Sequence, residues 1–452
     1  MSRTDQIKIA AIVNAMGSHI ASWRYPTAPL MGSQRLDVYL ELARIAEAGK
    51  LDAVFVADSN ALNWQEVETM SRTARYNVQF EPWTILSAMA AVTQHLGLVS
   101  TSSTTYNEPY AIARKLGSLD VLSGGRGGWN AVTSGNPAEA KNFGFAAHPD
   151  HAKRYARAHE FIEVVRGLWD SFEDDAFVQD RDNAQYYDPA KLHVLNHVGE
   201  HFNVTGPLNL MRPPQGYPVI FQAGASEYGK DFAAHVADAV YSGEPTIEKG
   251  AKLYADIKGR MAKYGRQPDQ LKMMPGLFAT VGETDEIARL KYEHLNSLIH
   301  PEVAKGVVAR TLGGLKLDGL SLDDKVPEFE DPKVPSSQYH VIARMVREDK
   351  LTIRQLHDRL ANGGAAHLNI VGSPKTIADF MEEAFETRAA DGFCLMMPFL
   401  PEGLMNFTTM VVPELQRRGL FRTEYEGTTL RESLGLAYPE HPAVLARKAK
   451  AV

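Results

Sequence analysis

Short apolar segments rich in β-branched residues alternate along this chain with longer amphipathic segments, and this alternation restricts the folds it can adopt. Eight apolar segments are predicted as strands, at 7–14, 53–58, 98–105, 128–133, 218–222, 239–242, 273–281 and 393–397. Strands that alternate with helices are typical of a parallel sheet covered by helices. Eight such units, with no G-x-G-x-x-G turn after the first strand, favour a closed (β/α)8 TIM barrel over an open doubly wound sheet.

Two long segments interrupt the repeat. One runs from about 171 to 216, and the other, from about 296 to 372, is polar and helix-prone with a proline-bearing loop. Barrels of this class tolerate long insertions, so the 452 residues are predicted as a single domain over 1–452. Both insertions are expected over the barrel mouth, where the second would act as a lid.

Charge and cysteine content exclude several classes of protein. Lys and Arg number 48 against 55 Asp and Glu, a net charge of −7 that argues against nucleic-acid binding. The single cysteine, Cys394, excludes an internal disulfide and any cysteine-rich metal site. No segment approaches the ~20 apolar residues of a membrane helix. A cytoplasmic protein that binds neither membrane nor nucleic acid is therefore expected.

Three histidines offer a metal-binding alternative. His193, His197 and His201 are spaced at i, i+4 and i+8, which on a helix would present three imidazoles to one ion. The segment has β-branched alternation on both sides of Gly199, and this pattern favours a β-hairpin instead. On a hairpin the three rings converge poorly, so no metal is expected, although a barrel metallohydrolase stays open as an alternative.

Candidate ligand-binding residues lie at the carboxyl ends of the predicted strands. Asp58 closes the second strand, and Thr101 belongs to the hydroxyl-rich end of the third. Each has a structural alternative, a loop cap for Asp58 and plain β propensity for Thr101. Enzymes of this fold carry their chemistry at that end.

Two predicted helix starts favour an anion. His151 and Tyr155 lie four apart at the start of the helix after the fourth strand, and Ser226 lies in a small-residue turn after the fifth. Free backbone N–H groups and the helix dipole attract negative charge at such positions. Ser226 could equally be an ordinary N-cap.

Five motifs extend in order over nearly the whole chain. They are SGGRGGWNAVTS at 123–134, NFG at 142–144, GPL at 206–208, PQG at 214–216 followed by QAG at 222–224, and FRTEY at 421–425. In these motifs the chain resembles two-component FMN-dependent monooxygenases of the bacterial-luciferase superfamily, in the branch of nitrilotriacetate, EDTA and dibenzothiophene-sulfone monooxygenases. Gly127-Gly128 stands where relatives often carry bulkier residues.

The resemblance implies a luciferase-like barrel that binds reduced FMN, made by a separate NAD(P)H:FMN reductase, and uses O2 on a small organic substrate at a C–N or C–S centre. It implies that His151, Tyr155 and Ser226 hold the phosphate, with Asp58, Thr101 and Asn130 nearer the ring system. A homodimer or homotetramer is also implied. The stretch at 308–312 lacks a histidine typical of the sulfone-cleaving branch, which argues against sulfone chemistry.

Three further residues complete the predicted site. His19, in the loop after the first strand, is the candidate catalytic residue, because an imidazole can donate a proton near neutrality to activated oxygen or substrate. Phe55 and Tyr241, at strand ends, are expected to shape the substrate pocket, although both could be plain core. A deazaflavin-dependent oxidoreductase and a flavin-binding protein without turnover stay open as alternatives.

Overall fold

Eleven strands occur in the described part of the chain. The structure is a computed structural model and describes residues 5–14, 16–62, 67–74, 78–224, 226–331, 337–360 and 367–450. The strands are β1 (Lys8–Ile12), β2 (Ala53–Val56), β3 (Gly97–Ser103), β4 (Gly127–Val132), β5 (His197–Val198), β6 (Asn203–Val204), β7 (Val219–Gln222), β8 (Ala239–Ser242), β9 (Lys272–Val281), β10 (Leu368–Gly372) and β11 (Gly392–Leu395).

Eight parallel strands close into a barrel through β9. The first half of β9 pairs with β8, from Ala239 opposite Lys272 to Ser242 opposite Pro275. Gly276 then pairs with β11, and the other strands follow in the order β11-β1-β2-β3-β4-β7-β8. The predicted fold class is therefore confirmed, and no predicted strand bound differs from the observed one by more than two residues.

The strand β10 is the ninth member of the sheet, and the sequence did not predict it. It pairs only with the second half of β9, between Leu277 and Val281, outside the closed barrel. Its five residues lie at the end of the segment expected to be a helix-prone insertion. A run this short has little periodicity, and its pairing depends on β9 extending beyond the barrel wall.

Helices cover the outside of the barrel. The helices are α1 (Leu36–Ala48), α2 (Val67–Met70), α3 (Pro82–Ala90), α4 (Pro109–Ser123), α5 (Glu139–Asn142), α6 (His151–Trp169), α7 (Glu227–Val236), α8 (Ile247–Arg260), α9 (Asp285–Ser297), α10 (Pro301–Thr311), α11 (Ser337–Asp349), α12 (Ile353–Leu360), α13 (Pro374–Glu386), α14 (Glu402–Asn406), α15 (Val412–Arg417), α16 (Leu430–Ser433) and α17 (Pro442–Lys450). The helices α7, α8 and α9 begin at side-chain caps, since Ser226, Thr246 and Thr284 each accept a backbone N–H three residues later.

The amino-terminal end of the barrel is closed by α16. Leu430 belongs to the interior apolar cluster together with Val99 and Phe221. A Cβ built at Gly97 would lie 2.5 Å from a Leu430 methyl, and one at Gly128 would lie 3.1 Å from the other. The glycine at 128 therefore makes room for Leu430, which fills this end of the barrel.

The segment 171–216 packs on the outside of the barrel. Phe202 and Leu208 lie in one apolar cluster with Phe161 of α6, and Gln215 Nε2 donates to Gly127 O at 2.9 Å, at the amino-terminal end of β4. Within the described ranges, no residue of this segment lines the cavity at the opposite end. These contacts do not support the expected position over the mouth.

The segment 296–372 does reach the mouth. Val307, Arg310 and Thr311 of α10 and Leu360 of α12 line the cavity at the carboxyl ends of the strands. A Cβ at Gly306 would meet Thr69 of α2 within 2.5 Å, so α10 packs closely on the loop after β2.

Candidate active site

A large cavity opens at the carboxyl ends of the barrel strands. Its volume is about 1110 Å³, which exceeds the range of roughly 300–1,000 Å³ usual for a site that holds one small ligand. Its walls come from the ends of β1 to β4, β7 and β8, from the start of α6, and from α10. This end of the barrel carries the chemistry in enzymes of this fold, so the cavity is the candidate active site.

Eight of the nine predicted site residues line this cavity. They are Phe55, Asp58, Thr101, Asn130, His151, Tyr155, Ser226 and Tyr241. Their individual roles stay predictions.

One end of the cavity has the character of an anion site. His151 and Tyr155 lie on the first turns of α6, with ring centroids 4.9 Å apart. Ser226 is the N-cap of α7, and its Oγ lies 3.4 Å from His151 Nε2. Two helix N-termini therefore meet here with an imidazole and two hydroxyl groups, all able to donate to bound oxygen atoms.

The turn before α7 brings its backbone close to the same side chains. A Cβ built at Gly224 would lie 2.8 Å from the Tyr155 hydroxyl oxygen and 2.5 Å from Gln222 Nε2. Only glycine fits this approach. Gln222 Oε1 is buried without a partner, and the sequence had not singled this residue out as part of the site.

Arg154 adds a positive charge that the sequence analysis missed. It lines the cavity one turn after His151, and its Nη1 donates to Ser134 O and, at 3.1 Å, to Thr133 O. Its Nε is buried without a partner. Burial and the nearby Arg154 charge lower the pKa of His151. The spacing of Arg154 could have indicated its place in the site, since a residue three positions after His151 lies on the same face of a helix.

Thr101 and Asn130 form a polar pair on neighbouring strands. The two residues are directly opposite each other in β3 and β4, and Asn130 Nδ2 donates to Thr101 Oγ1 at 3.1 Å. Asn130 Oδ1 is buried and has no partner. A buried acceptor left unpaired costs about 1–3 kcal/mol, so a ligand that donates an N–H here would recover that free energy.

Asp58 lies at the end of β2 in a partly buried position. Gln79 Nε2 donates to its Oδ1 at 2.8 Å. Burial raises the pKa of Asp58, and the nearby Glu139 carboxylate raises it further. Glu139 is itself held by Ser134 Oγ at 2.8 Å. The two carboxylates therefore give this part of the cavity lining negative charge.

The remaining wall is aromatic. Phe55 and Tyr241 have ring centroids 6.1 Å apart, and Tyr241 Oη lies 2.7 Å from His367 Nε2. His367 precedes β10 and is 126 positions away from Tyr241 in sequence. No local pattern connects two residues so far apart, which is why the sequence analysis missed His367.

His19 lies outside the cavity lining that the described residues form. It is completely buried, its Nδ1 accepts the Ala21 N–H at 3.1 Å, and its Nε2 lies 3.1 Å from Asn296 Oδ1. With Nδ1 as acceptor, Nε2 carries the proton and donates it to Asn296. In this conformation His19 holds the loop after β1 against α9, and its predicted catalytic role stays a prediction.

The three spaced histidines do not converge. β5 and β6 form an antiparallel hairpin that contains His197, as the alternation predicted. His193 Nε2 lies 2.9 Å from Glu173, whereas His197 Nε2 lies 3.1 Å from Glu160. The metallohydrolase alternative therefore loses its three-histidine ligand set.

One group in the described part of the chain has metal-like spacing. Ligand atoms of Glu173, His193 and His441 lie within 4.8 Å of one another. Arg447 already donates to Glu173, at 2.8 Å through Nη1, and lowers the pKa of that carboxyl to about 2. His441 Nε2 lies 3.0 Å from Asp170 O. Protein groups therefore occupy these atoms, and none of the three residues lines the cavity.

Of the helices in the described ranges, none has the length and apolar character needed to cross a lipid bilayer.

Comparison with known proteins agrees with the cavity and its motifs. Residues 16–391 match the model of the luciferase-like monooxygenases. The chain is 46% identical over 448 residues to nitrilotriacetate monooxygenase component A of Aminobacter aminovorans, covering 98% of this chain and 99% of that protein. It is 44% identical over 440 residues to N-acetyl-S-(2-succino)cysteine monooxygenase of Bacillus subtilis (strain 168), covering 97% and 98%.

A solved structure shows the same architecture. The crystal structure of DmoA from Hyphomicrobium sulfonivorans superposes with a TM-score of 0.87 at 30% identity, covering 98% of this chain and 96% of that one. These two relatives are named monooxygenases, which does not favour the deazaflavin or non-catalytic alternatives. The chain belongs to the luciferase-like monooxygenase family, and it is a flavin-dependent oxidoreductase.

Proposed function

We propose that this protein oxygenates a small organic substrate at a C–N or C–S centre, using O2 and reduced FMN that a separate NAD(P)H:FMN reductase supplies. The relative from A. aminovorans is named as component A, which supports a second component for this chain as well. The chain also lacks the glycine-rich turn after its first strand that typically binds a dinucleotide. A homodimer or homotetramer, which the family resemblance implies, belongs to the same proposal and is measured by sedimentation.

The observation that carries the proposal is the paired helix N-termini at one end of the cavity. His151, Tyr155 and Ser226 would hold the FMN phosphate, with backbone N–H groups of the turn at Gly224. Arg154 adds a fixed positive charge beside them. Because a phosphate carries nearly two negative charges at neutral pH, this end is the part of the cavity suited to it.

The polar pair in the barrel wall fits the ring system. A flavin ring carries N–H groups, and Asn130 Oδ1 is an unpartnered buried acceptor. Thr101 holds the amide of Asn130 in place. When bound, reduced flavin supplies the electrons that activate O2. The chain's contribution is to bind the flavin, orient it and exclude water.

The rest of the cavity supports a small carboxylate-bearing substrate. A volume of about 1110 Å³ leaves room for a second molecule beside the cofactor. Phe55 and Met396 give this part an apolar wall, and the exposed Arg310 of α10 lies at its rim. The two relatives are named for acids with a C–N or a C–S bond, nitrilotriacetate and N-acetyl-S-(2-succino)cysteine.

The phosphate assignment is tested by titrating the protein with FMN and with riboflavin, which has the same ring system without phosphate. We expect FMN to bind at least about tenfold more tightly, because a hydrogen bond to a charged group contributes about 1.5–3 kcal/mol. The measurement is quenching of flavin fluorescence. Equal affinities for the two flavins would remove the phosphate site.

The activity is tested with a flavin reductase, NADH, FMN and O2, and with nitrilotriacetate, N-acetyl-S-(2-succino)cysteine and dibenzothiophene sulfone as separate substrates. Product is identified by mass spectrometry, with catalase present to remove stray hydrogen peroxide. We expect oxygenated product from a carboxylate substrate and none from the sulfone. Rapid NADH oxidation by the protein alone would contradict the need for a separate reductase.

A further inference from the structure

Tyr241 and His367 form a hydrogen-bonded pair in the aromatic wall of the cavity. The distance from Tyr241 Oη to His367 Nε2 is 2.7 Å, and Oη also lies 3.4 Å from Met396 Sδ. Tyr241 and Met396 both line the cavity. The hydroxyl is therefore at the wall, and the imidazole contacts it from the side of β10.

The barrel makes room for this pair at Gly276 of β9. A Cβ built there would lie 2.6 Å from His367 Cδ2 and 3.1 Å from Tyr241 Cε2. Contacts this short are not tolerated, so any other residue at 276 would displace the imidazole. Three chain segments, β8, β9 and the approach to β10, thus build one Tyr–His pair.

The other titratable groups near the cavity are less suited to donate a proton on this side. His151 lies at the anion end, next to Ser226. Asp58 accepts a hydrogen bond from Gln79. His19 is hydrogen-bonded through both ring nitrogens and lies behind the wall. Tyr241 lies beside Phe55, with ring centroids 6.1 Å apart, in the part of the cavity that the substrate would occupy.

We propose that Tyr241 is the catalytic proton donor of the oxygenation. His367 is then a positioning residue that orients the Tyr241 hydroxyl and returns a proton to it. This proposal rests on the proposed function. Tyr241 Oη gives its proton to the oxygen atom that leaves as water, and His367 Nε2–H returns a proton to Oη. The imidazole suits this task because it exchanges protons with solvent near neutral pH.

The reaction balances without another reactant. Reduced FMN, O2 and the substrate give FMN, oxygenated substrate and water. The flavin provides two electrons and the substrate two, so that both oxygen atoms are fully reduced. The O–O bond breaks, one oxygen forms a new bond to the substrate, and the other leaves with two protons. Tyr241 delivers one of them and regains it through His367, so the enzyme ends unchanged.

The experiment compares Tyr241→Phe and His367→Gln with the wild type. Protein loaded with reduced FMN is mixed with O2 in a stopped-flow instrument, in H2O and in D2O, and the return of oxidised FMN absorbance is recorded. Without substrate the O–O bond stays intact and both oxygen atoms leave as hydrogen peroxide, and since this leaving oxygen also takes up a proton, the readout requires no known substrate. We expect Tyr241→Phe to slow reoxidation by roughly 100-fold, to reduce the solvent isotope effect, and to leave the Kd for FMN unchanged.

A merely structural role of His367 is distinguished by the pH profile. We expect the wild-type rate to change between about pH 6 and 8, around the ordinary imidazole pKa of about 6.5, and the His367→Gln rate to be flat over that range. With a turned-over substrate, both variants should form oxygenated product more slowly than the wild type.

Tyr106 provides the matched control, because its Oη lies 2.6 Å from His148 Nδ1 and neither residue lines the cavity. Tyr106→Phe should therefore reoxidise FMN at the wild-type rate. If Tyr241→Phe binds FMN and keeps both the wild-type rate and the isotope effect, this inference is overturned and the proposed function still stands. If the wild type does not bind FMN, the proposed function falls, and the inference falls with it.

Discussion

Two buried arginines at opposite ends of the barrel have different hydrogen-bonding environments. Arg126, just before β4 at the amino-terminal end, donates through all three guanidinium nitrogens, to Ser123 O, Leu96 O, Ala90 O, and both the carbonyl and the hydroxyl of Thr93. Arg154, at the carboxyl end, donates only through Nη1, and its buried Nε has no partner. Burial lowers the pKa of both side chains.

The comparison concerns these two arginines, because Arg431 Nε on α16 and His95 Nδ1, at the amino-terminal end, are also buried without a partner. At the closed end the donors of Arg126 join α3, β3 and β4. At the open end Arg154 and Asn130 each keep a buried polar atom without a protein partner. An unpaired buried group costs stability, and it persists where a ligand can supply the missing partner.

The largest effect should come from Arg126→Met. This change leaves several buried acceptors unpaired, each worth about 1–3 kcal/mol, so we expect the free energy of unfolding to fall by at least about 3 kcal/mol. The measurement is urea denaturation. Folded protein should still bind FMN with wild-type affinity. If Arg126→Met lost as much FMN affinity as Arg154→Met, the two ends of the barrel would not differ in their role in FMN binding.

The reverse pattern is expected for Arg154→Met. Loss of the charge beside the proposed phosphate site should weaken FMN binding by about 1.5–3 kcal/mol, which is more than tenfold in Kd. Stability should fall less than in Arg126→Met, because only bonds from Nη1 are lost. Fluorescence titration and urea denaturation on the same preparation give both quantities. Riboflavin affinity is the control and should change little.

The double change Thr101→Val and Asn130→Leu sharpens the comparison. It removes both partners of one hydrogen bond and the unpaired Asn130 Oδ1, so the free energy of unfolding should stay constant or rise by up to about 1 kcal/mol. FMN and riboflavin should both bind several-fold more weakly, because the ring contact is lost. A clear loss of stability would show that this pair serves the fold rather than the ligand.

The smallest effect concerns pH. Burial and Arg154 hold the pKa of His151 below its ordinary 6.5 in the free protein, and a bound phosphate dianion would raise it. Binding should then take up a proton, so FMN affinity should rise as the pH falls from 8 towards 6.5 and be lost as the pH rises. We expect a change of a few-fold, absent in His151→Gln. Riboflavin binding should be independent of pH in this range.

Most of the fold could be predicted from local sequence pattern, and the features that the prediction missed have a common cause. The eight barrel strands are buried on both faces, so each is a recognisable apolar run between amphipathic helices. The strand β10 has one neighbour and five residues, and the segment 171–216 is placed by side-chain contacts with α6 rather than by periodicity. Features that depend on a partner distant in sequence were the ones missed.

The residues of the candidate site also fall into two groups, those that the sequence pattern indicated and those that only contacts in the tertiary structure revealed. Strand ends and helix starts identified Asp58, Thr101, His151, Tyr155 and Ser226, because a parallel barrel brings all such positions to one rim. His367 carried no motif and Gln222 was recognised only as part of the QAG motif, and their relevance to the site depends on contacts with Tyr241 and Gly224. The surroundings of His19 could not be predicted from the sequence either, since its ring nitrogens are hydrogen-bonded with Ala21 and Asn296.

The sequence by itself determined a parallel eight-stranded barrel, the end that carries the site and the family motifs, because these depend on residue type and on spacing along the chain. The tertiary structure alone decided which polar atoms are paired and which are left for a ligand. Burial and hydrogen-bond partners arise from residues brought together across the barrel, as with Tyr241 and His367. Two arginines with the same chemistry, Arg126 and Arg154, therefore acquire different roles from their surroundings.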